Sequence, residues 1–105
     1  MAAYIGLNSA MRALYEQLTT TVLISETSSI AVESGFIFAT NTIELTLPTS
    51  VGNTSHRFMI KNVGDGIITI KGYNGETIDG YSTFQLTEKN SAIGVAANNG
   101  EWLVY

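Results

Sequence analysis

The first eighteen residues carry apolar side chains at helical spacing. Successive members of this stripe are three or four residues apart, which is the spacing of a single helix face and of a heptad seam. The stripe consists of Tyr4, Leu7, Met11, Leu14 and Leu18. It predicts one amphipathic helix of about four turns over residues 3–18. Because an isolated helix of this length is marginal in water, the stripe must be buried. It is buried either on its own domain, or against copies of itself or a partner shell.

From residue 19 onward the pattern changes to short alternating segments. The threonines at 19–21 disfavour further helix, because β-branched residues lose rotamer freedom there. Ile43, Leu45 and Leu47 alternate with polar residues, which predicts a half-buried strand that Pro48 ends. Comparable patterns predict strands at 22–24, 28–32, 36–39, 57–63, 67–71, 83–87, 91–97 and 101–105.

Turn signals separate these strands about every eight to twelve residues, a spacing typical of all-β domains. Gly64-Asp65-Gly66 predicts the tight turn of a hairpin, and Asn74-Gly75 and Asp79-Gly80 are two further turn dipeptides. We therefore expect a mainly β protein with two parts. Residues 36–105 form a small antiparallel β-sandwich or barrel-like domain, and residues 1–35 form a preceding segment that contains the amphipathic helix and serves in anchoring and oligomerisation.

The composition narrows the classes of partner. Only 13 % of the 105 residues are charged, the net charge is −4, and the five Lys and Arg residues form no basic patch. Nucleic-acid binding and a polybasic membrane anchor therefore lack their electrostatic driving force. No apolar run is long enough to cross a membrane. The absence of cysteine excludes disulfides and thiolate chemistry, and it favours synthesis in a reducing cytoplasm.

Candidate catalytic residues are few. His56 is the single histidine, and we expect it to lie exposed in a loop, without partners for a metal site or a catalytic triad. Glu76 and Asp79 could pair for acid–base chemistry or hold a hard cation, but Asp79 before Gly80 better fits a turn. We therefore predict no enzymatic activity and no catalytic, cofactor-binding or metal-binding residues.

Aromatic residues near the end of the chain suggest two different roles. Trp102 is expected to fill one end of the β-core. Tyr73, Asn74 and Tyr81 lie in or beside the turn-rich loop, where aromatic side chains can stack on sugars or on a partner protein. They are candidate receptor contacts, with packing at the rim of the core as the alternative for the two tyrosines.

An ordered set of four motifs runs through residues 36–105. A Thr-Leu-Pro strand end at 46–48 is followed by Ile-Lys-Asn at 60–62, Thr-Ile-Asp-Gly at 77–80 and Asn-Gly-Glu-Trp at 99–102. In this order the motifs resemble the C-terminal β-domain that recurs in bacteriophage tail-fibre, spike and head-fibre proteins. Each motif is common by itself, and the order carries the resemblance over about two-thirds of the chain.

The resemblance implies an antiparallel β-fold that works as a homotrimer on a virion. Family members often carry the domain at the end of a long shaft, whereas here only the predicted helix precedes it. That difference favours a short head fibre or capsid decoration subunit, anchored to capsid or tail proteins through residues 1–35. The alternative is a tail-fibre or spike module that binds a host surface glycan or protein.

Overall fold

The computed structural model describes residues 21–32 and 35–105, which form a mainly β fold. The predicted helix over residues 3–18 lies outside the described residues. Ten strands occur in the described ranges, and a short 3₁₀ turn spans Tyr73–Gly75. The strands are β1 Thr21–Ile24, β2 Ser28–Ser29, β3 Gly35–Ala39, β4 Ile43–Thr46, β5 Arg57–Asn62, β6 Ile68–Lys71, β7 Thr77–Ile78, β8 Thr83–Leu86, β9 Ala92–Ala97 and β10 Glu101–Val104.

The strands form two sheets. Sheet A has the order β1-β3-β5-β9-β10-β7, and sheet B has the order β2-β4-β6-β8. The first six strands alternate between the two sheets, so that each strand pairs with the one two places later in the chain. These pairs are parallel: β1 with β3, β3 with β5, β2 with β4 and β4 with β6. The chain thus passes three times through both sheets, each time with one strand in sheet A and one in sheet B. Strands β7 to β10 then complete the two sheets.

The expectation of an antiparallel domain is therefore wrong for the first six strands, and also for β7, which pairs in parallel with β10. Antiparallel pairing occurs where β9 joins β5 and β10, and where β8 joins β6. The predicted hairpin around Gly64-Asp65-Gly66 is also wrong, because β5 lies in sheet A and β6 in sheet B. Both strands bury their apolar side chains in the core, which a crossover between facing sheets allows.

Gly64 and Gly66, in the crossover between β5 and β6, lie close to the preceding crossover at residues 40–42. A Cβ atom at Gly66 would lie 2.3 Å from the backbone carbon of Asn41, and one at Gly64 would lie 2.3 Å from Thr40 Oγ1. At the start of the crossover, the Val63 N–H donates a hydrogen bond to the Ala39 carbonyl at 2.8 Å. Successive crossovers thus stack directly on one another. At position 66 only glycine fits against the neighbouring backbone, whereas a side chain at position 64 would require the Thr40 hydroxyl to turn away.

The core lies between the sheets and takes alternate residues from each strand. Ile43, Leu45 and Leu47 are all buried, as their alternation with polar residues predicts. Trp102 is fully buried, and its ring centre lies 5.7 Å from that of Phe58. The prediction that Trp102 fills the core is confirmed. The single tryptophan is consequently a natural reporter of unfolding.

Asn62 is a buried polar residue inside this core. Its Nδ2 donates to the carbonyls of Gly66 at 2.8 Å and Leu86 at 3.1 Å, and its Oδ1 accepts from the Gly64 N–H at 3.1 Å. The side chain therefore ties the end of β5 to the crossover and to β8. Because every one of these bonds goes to backbone, the position selects an amide rather than an apolar side chain.

The predicted boundary at residues 35 and 36 stays a prediction. Strand β1 pairs with β3 and β2 pairs with β4, so the described residues before the boundary lie in the same two sheets as those after it.

Candidate functional site

The turn-rich segment 72–82 forms one exposed site at the surface. Asp79 and Gly80 both have positive φ, +49° and +83°, and Ile78 and Tyr81 exchange backbone hydrogen bonds across them. This is a two-residue β-turn, as the Asp-Gly dipeptide predicts, and it lies where the chain passes from β7 in sheet A to β8 in sheet B. The Asp79 carboxylate also accepts from the Val104 N–H at 2.9 Å, which attaches the turn to β10.

The three candidate receptor residues all lie on the surface of this segment. Tyr73 is 51 % exposed and Tyr81 is 71 % exposed, so neither packs closely at the rim of the core. Asn74 lies in the wall of a groove of about 420 Å³. The other residues of the groove wall are Thr46, Lys71, Gly72, Gly75, Glu76, Ser82 and Thr83.

The groove wall offers hydroxyl and amide groups together with the Glu76 carboxylate. Ser82 and Thr83 contribute hydroxyls, and Asn74 contributes an amide. Lys71 is neutralised in part by Glu44, with Nζ and Oε1 2.8 Å apart. Hydroxyl, amide and charged groups in one groove suit a polar, hydroxyl-rich ligand, whose hydroxyls can bond to them. The exposed rings of Tyr73 and Tyr81 belong to the same segment and offer surfaces for stacking.

Glu76 attaches this segment to the loop after β4 through its carboxylate. Its Oε1 accepts from the N–H of Ser50 at 2.8 Å and from the Ser50 hydroxyl at 2.5 Å, and its Oε2 accepts from the Thr49 hydroxyl at 2.6 Å. Asp79 bonds elsewhere, to Val104, so the two carboxylates have separate structural partners. The geometry therefore does not bring Glu76 and Asp79 together as an acid–base pair.

Hydrogen bonds set the charge state of Glu76. Burial by itself would raise the pKa of this carboxyl, but the hydrogen bonds from Ser50 and Thr49 together outweigh that effect and hold the pKa below its ordinary value of 4.5. The carboxylate is thus ionised at neutral pH, where it accepts all three bonds.

Ser50 extends this network to the last hairpin. It is completely buried, and its hydroxyl oxygen accepts from the Gly100 N–H at 2.8 Å. Nearby, the Trp102 indole N–H donates to the Pro48 carbonyl at 3.2 Å. The loop after β4, the turn-rich segment and the turn before β10 are therefore joined. No sequence signal connected Glu76 with Ser50, because the two are 26 residues apart.

His56 is not the fully exposed loop residue that we expected. The side chain is half-buried, and its Nδ1 is buried with no hydrogen-bond partner among the described residues. Its backbone carbonyl accepts from the Ala97 N–H at 3.0 Å, which places the residue directly before β5 and beside the end of β9. Among the described residues, no group of His, Cys, Asp or Glu side chains is placed to hold a metal ion.

The outer face of sheet A is a second candidate site, of a different kind. Pairing places Phe36 beside Met59 and Met59 beside Gly94, while the Tyr105 ring covers Gly94. Leu23 on the edge strand is 68 % exposed. We call this surface the outer apolar face. Its large apolar side chains are Leu23, Phe36, Phe38, Met59, Leu103 and Tyr105, and Arg57 and Lys61 of β5 lie on the same side.

The outer face of sheet B is polar by contrast. Its strands present Glu44, Thr46, Thr69, Lys71, Thr83 and Gln85. Two pairs among them are bonded: Lys71 with Glu44, and the Gln85 amide with the Thr69 hydroxyl at 3.1 Å. Sheet B therefore has the face expected against water, and sheet A does not.

The predicted anchoring stripe remains a prediction. Tyr4, Leu7, Met11, Leu14 and Leu18 all lie outside the described residues. Among the residues that the structure describes, no helix is long and apolar enough to cross a membrane.

Comparison of the sequence with models of protein families and with curated proteins finds no match.

Proposed function

We propose that this chain is a bacteriophage virion structural protein, a short homotrimeric head-fibre or capsid-decoration subunit. It is made in the cytoplasm of the bacterial host and is attached to major capsid or tail proteins through residues 1–35. The proposal involves no enzymatic activity, no cofactor, no nucleic acid and no membrane insertion.

The outer apolar face carries this proposal. Phe36 is 44 % exposed, Leu103 is 40 % exposed and Tyr105 is 62 % exposed, and all three lie on the same side of one sheet. Soluble monomers rarely leave several large apolar side chains exposed on one sheet face, whereas subunits of an assembly bury such side chains against one another. The ordered motifs of residues 46–102 add the resemblance to fibre domains, and the low charge of the chain suits burial.

Particle composition and oligomeric state test the proposal. We expect the purified full-length chain to elute as a trimer when its mass is measured by light scattering. We also expect antibody against the chain to label intact phage particles by electron microscopy. Dozens to hundreds of copies per particle would place it on the shell, and a handful would place it on the tail. A monomer that is absent from particles would contradict the proposal.

The anchoring role of the N-terminal stripe has its own test. Leu7→Ser and Leu14→Ser should abolish incorporation of the chain into particles, because each removes an apolar member of the predicted stripe. Asn8→Ser and Gln17→Ser change polar positions outside the stripe and are the matched controls. Equal incorporation of all four variants would argue against anchoring through the stripe.

A second candidate function is recognition of a host surface glycan or protein. The groove beside Asn74 and the exposed rings of Tyr73 and Tyr81 favour it. Tyr73→Ala and Tyr81→Ala should abolish attachment of particles to host cells while leaving assembly intact. Ile67→Ala, an exposed apolar residue at the opposite end of β6, is the control. Normal attachment of the tyrosine variants would exclude these residues as the receptor contact.

A further inference from the structure

We propose that Asn74 is a site of spontaneous covalent modification, at which the side-chain amide is lost and the main chain rearranges to isoaspartate. Asn74 is followed by Gly75 in the short exposed turn Tyr73–Gly75, and it lines the groove of the turn-rich segment. The inference goes beyond the proposed function and does not depend on assembly or on what the groove binds.

The reaction uses two neighbouring groups of the chain and one water molecule. The Gly75 backbone nitrogen loses its proton and attacks the Asn74 side-chain carbon Cγ, so that a C–N bond forms while the C–NH₂ bond breaks and ammonia leaves. The product is a five-membered succinimide ring. Water then adds to one of the two ring carbonyls, which opens the ring to aspartate or to isoaspartate. One water is consumed and one ammonia is released, and nothing is oxidised or reduced.

The sequence contains two Asn-Gly pairs, at 74–75 and at 99–100. Glycine after asparagine favours ring closure, because it has no side chain to shield the attacking nitrogen and its backbone rotates freely. The two pairs also have similar backbones: φ is +48° at Asn74 and +42° at Asn99, and both following glycines have positive φ. The difference between the pairs therefore lies in the groups around them.

Hydrogen bonds engage both reacting groups of the 99–100 pair. The Gly100 N–H donates to the hydroxyl oxygen of the completely buried Ser50 at 2.8 Å. The Asn99 Oδ1 accepts from the Gly52 N–H at 3.2 Å. Attack by the Gly100 nitrogen requires the first bond to open, and rotation of the Asn99 amide requires the second to open. The fold thus protects this pair.

The 74–75 pair lacks this protection. Within residues 21–32 and 35–105, the Asn74 side chain makes no hydrogen bond, and no residue of its turn is buried. The Gly75 N–H can bond within the turn only to the carbonyl three residues earlier, at Gly72, and a single exposed 3₁₀ turn opens readily. A Cβ atom on Gly75 would meet nothing within 4 Å, so the space beside this residue is open. Ring closure at Asn74 therefore moves no buried side chain.

Loss of the amide changes the chemistry of the groove. The groove wall already holds the Glu76 carboxylate, and the product adds a second carboxylate there. The net charge of −4 becomes one unit more negative. Isoaspartate also adds one atom to the main chain between Tyr73 and Gly75. A ligand that bonds to the Asn74 amide would consequently lose its partner as the protein stands in solution.

Peptide mapping of the folded, full-length chain tests the inference. Trypsin cleaves after Lys and Arg, so the two Asn-Gly pairs fall on separate peptides, 72–89 and 90–105. The protein is incubated at neutral and at mildly alkaline pH, and amide loss is read as a mass increase of about 1 Da that fragment spectra assign to a residue. We expect Asn74 to change at least about ten times faster than Asn99, because two hydrogen bonds must open at Asn99 first. A methyltransferase specific for isoaspartate should label peptide 72–89.

Two controls separate the effect of the fold from that of the dipeptide. In guanidinium chloride both pairs should change at similar rates, because unfolding removes the hydrogen bonds at Asn99. Gly75→Ala should slow the change at Asn74 and leave the rate at Asn99 as it was, since its methyl group shields the attacking nitrogen. Circular dichroism establishes that this variant folds, and the comparison within the wild-type chain does not depend on it.

Three results would overturn the inference. One is equal rates at the two positions in the folded chain, and another is a faster change at Asn99. The third is an Asn74 that changes in guanidinium chloride but keeps its amide in the folded chain, which would mean that the turn protects it. None of these results bears on whether the chain belongs to a virion, so they leave the proposed function as it stands.

Discussion

Removing the charge of Glu76 should weaken the fold at neutral pH. The carboxylate accepts three hydrogen bonds, two of them from the completely buried Ser50. In Glu76→Gln one oxygen becomes an NH₂ group, which cannot accept, and the remaining bonds lose their charge assistance. Hydrogen bonds to charged groups contribute about 1.5–3 kcal/mol and neutral ones about 1, so we expect a loss of about 2 kcal/mol.

Urea unfolding followed by the fluorescence of Trp102 measures this loss. For a small domain, urea slopes are about 1–3 kcal/mol per molar, so a loss of about 2 kcal/mol shifts the midpoint by about 1 M. Trp102 is the single tryptophan and is fully buried, which makes its emission a direct report of the core. Glu88→Gln, an exposed carboxylate, is the matched control and should change stability by less than about 0.5 kcal/mol.

The pH dependence of this loss follows from the lowered pKa of Glu76. A carboxyl whose pKa is depressed in the folded state contributes stability above its unfolded value of 4.5, and that contribution disappears as pH falls through the lower folded value. The difference between wild type and Glu76→Gln should therefore be largest at neutral pH and shrink toward zero in acid, where both side chains are neutral. A difference that stays constant across this range would refute the reasoning.

Two further predictions concern the packing of the crossover between β5 and β6. Gly66→Ala should cost about 3 kcal/mol, because the added methyl would lie 2.3 Å from the backbone of Asn41. Gly52→Ala, which meets open space at positive φ, should cost only about 1 kcal/mol in the same urea assay. Asn62→Leu should cost about 3 kcal/mol, because it removes the hydrogen bonds to the buried Leu86 carbonyl and to the half-buried Gly64 N–H. A loss below about 1 kcal/mol would show that the backbone relaxes around the new side chain.

Strand positions were predictable because their signal is local. The alternation around Ile43, Leu45 and Leu47 specifies both an extended backbone and the side that faces the core, and the structure places all three in the core. The Asp79-Gly80 turn was predictable for the same reason, since positive φ at both positions suits those two residues. Tyr73, Asn74 and Tyr81 lie on an exposed segment beside this turn, and their role as receptor contacts stays a prediction.

The site around Glu76 could not be predicted in the same way. A glutamate before a turn gives no sign that its carboxylate binds Ser50, 26 residues earlier, since nothing in the spacing distinguishes it from a solvated side chain. The half-buried state of His56 was missed for a similar reason. Its neighbours along the chain are polar, but the backbone contact with Ala97 at the end of β9 brings it against the fold.

The sequence by itself determined where the strands lie, which side chains point inward and where the chain turns. These properties depend on the period of two and on the backbone preferences of glycine, asparagine and aspartate. Only the tertiary structure decided that β1, β3 and β5 pair in parallel, and that the Gly64–Gly66 segment crosses between sheets instead of closing a hairpin. Parallel and antiparallel neighbours require the same alternation in each strand. The choice between them depends on which distant segments fill the shared core and on where two crossovers can stack without side chains between them.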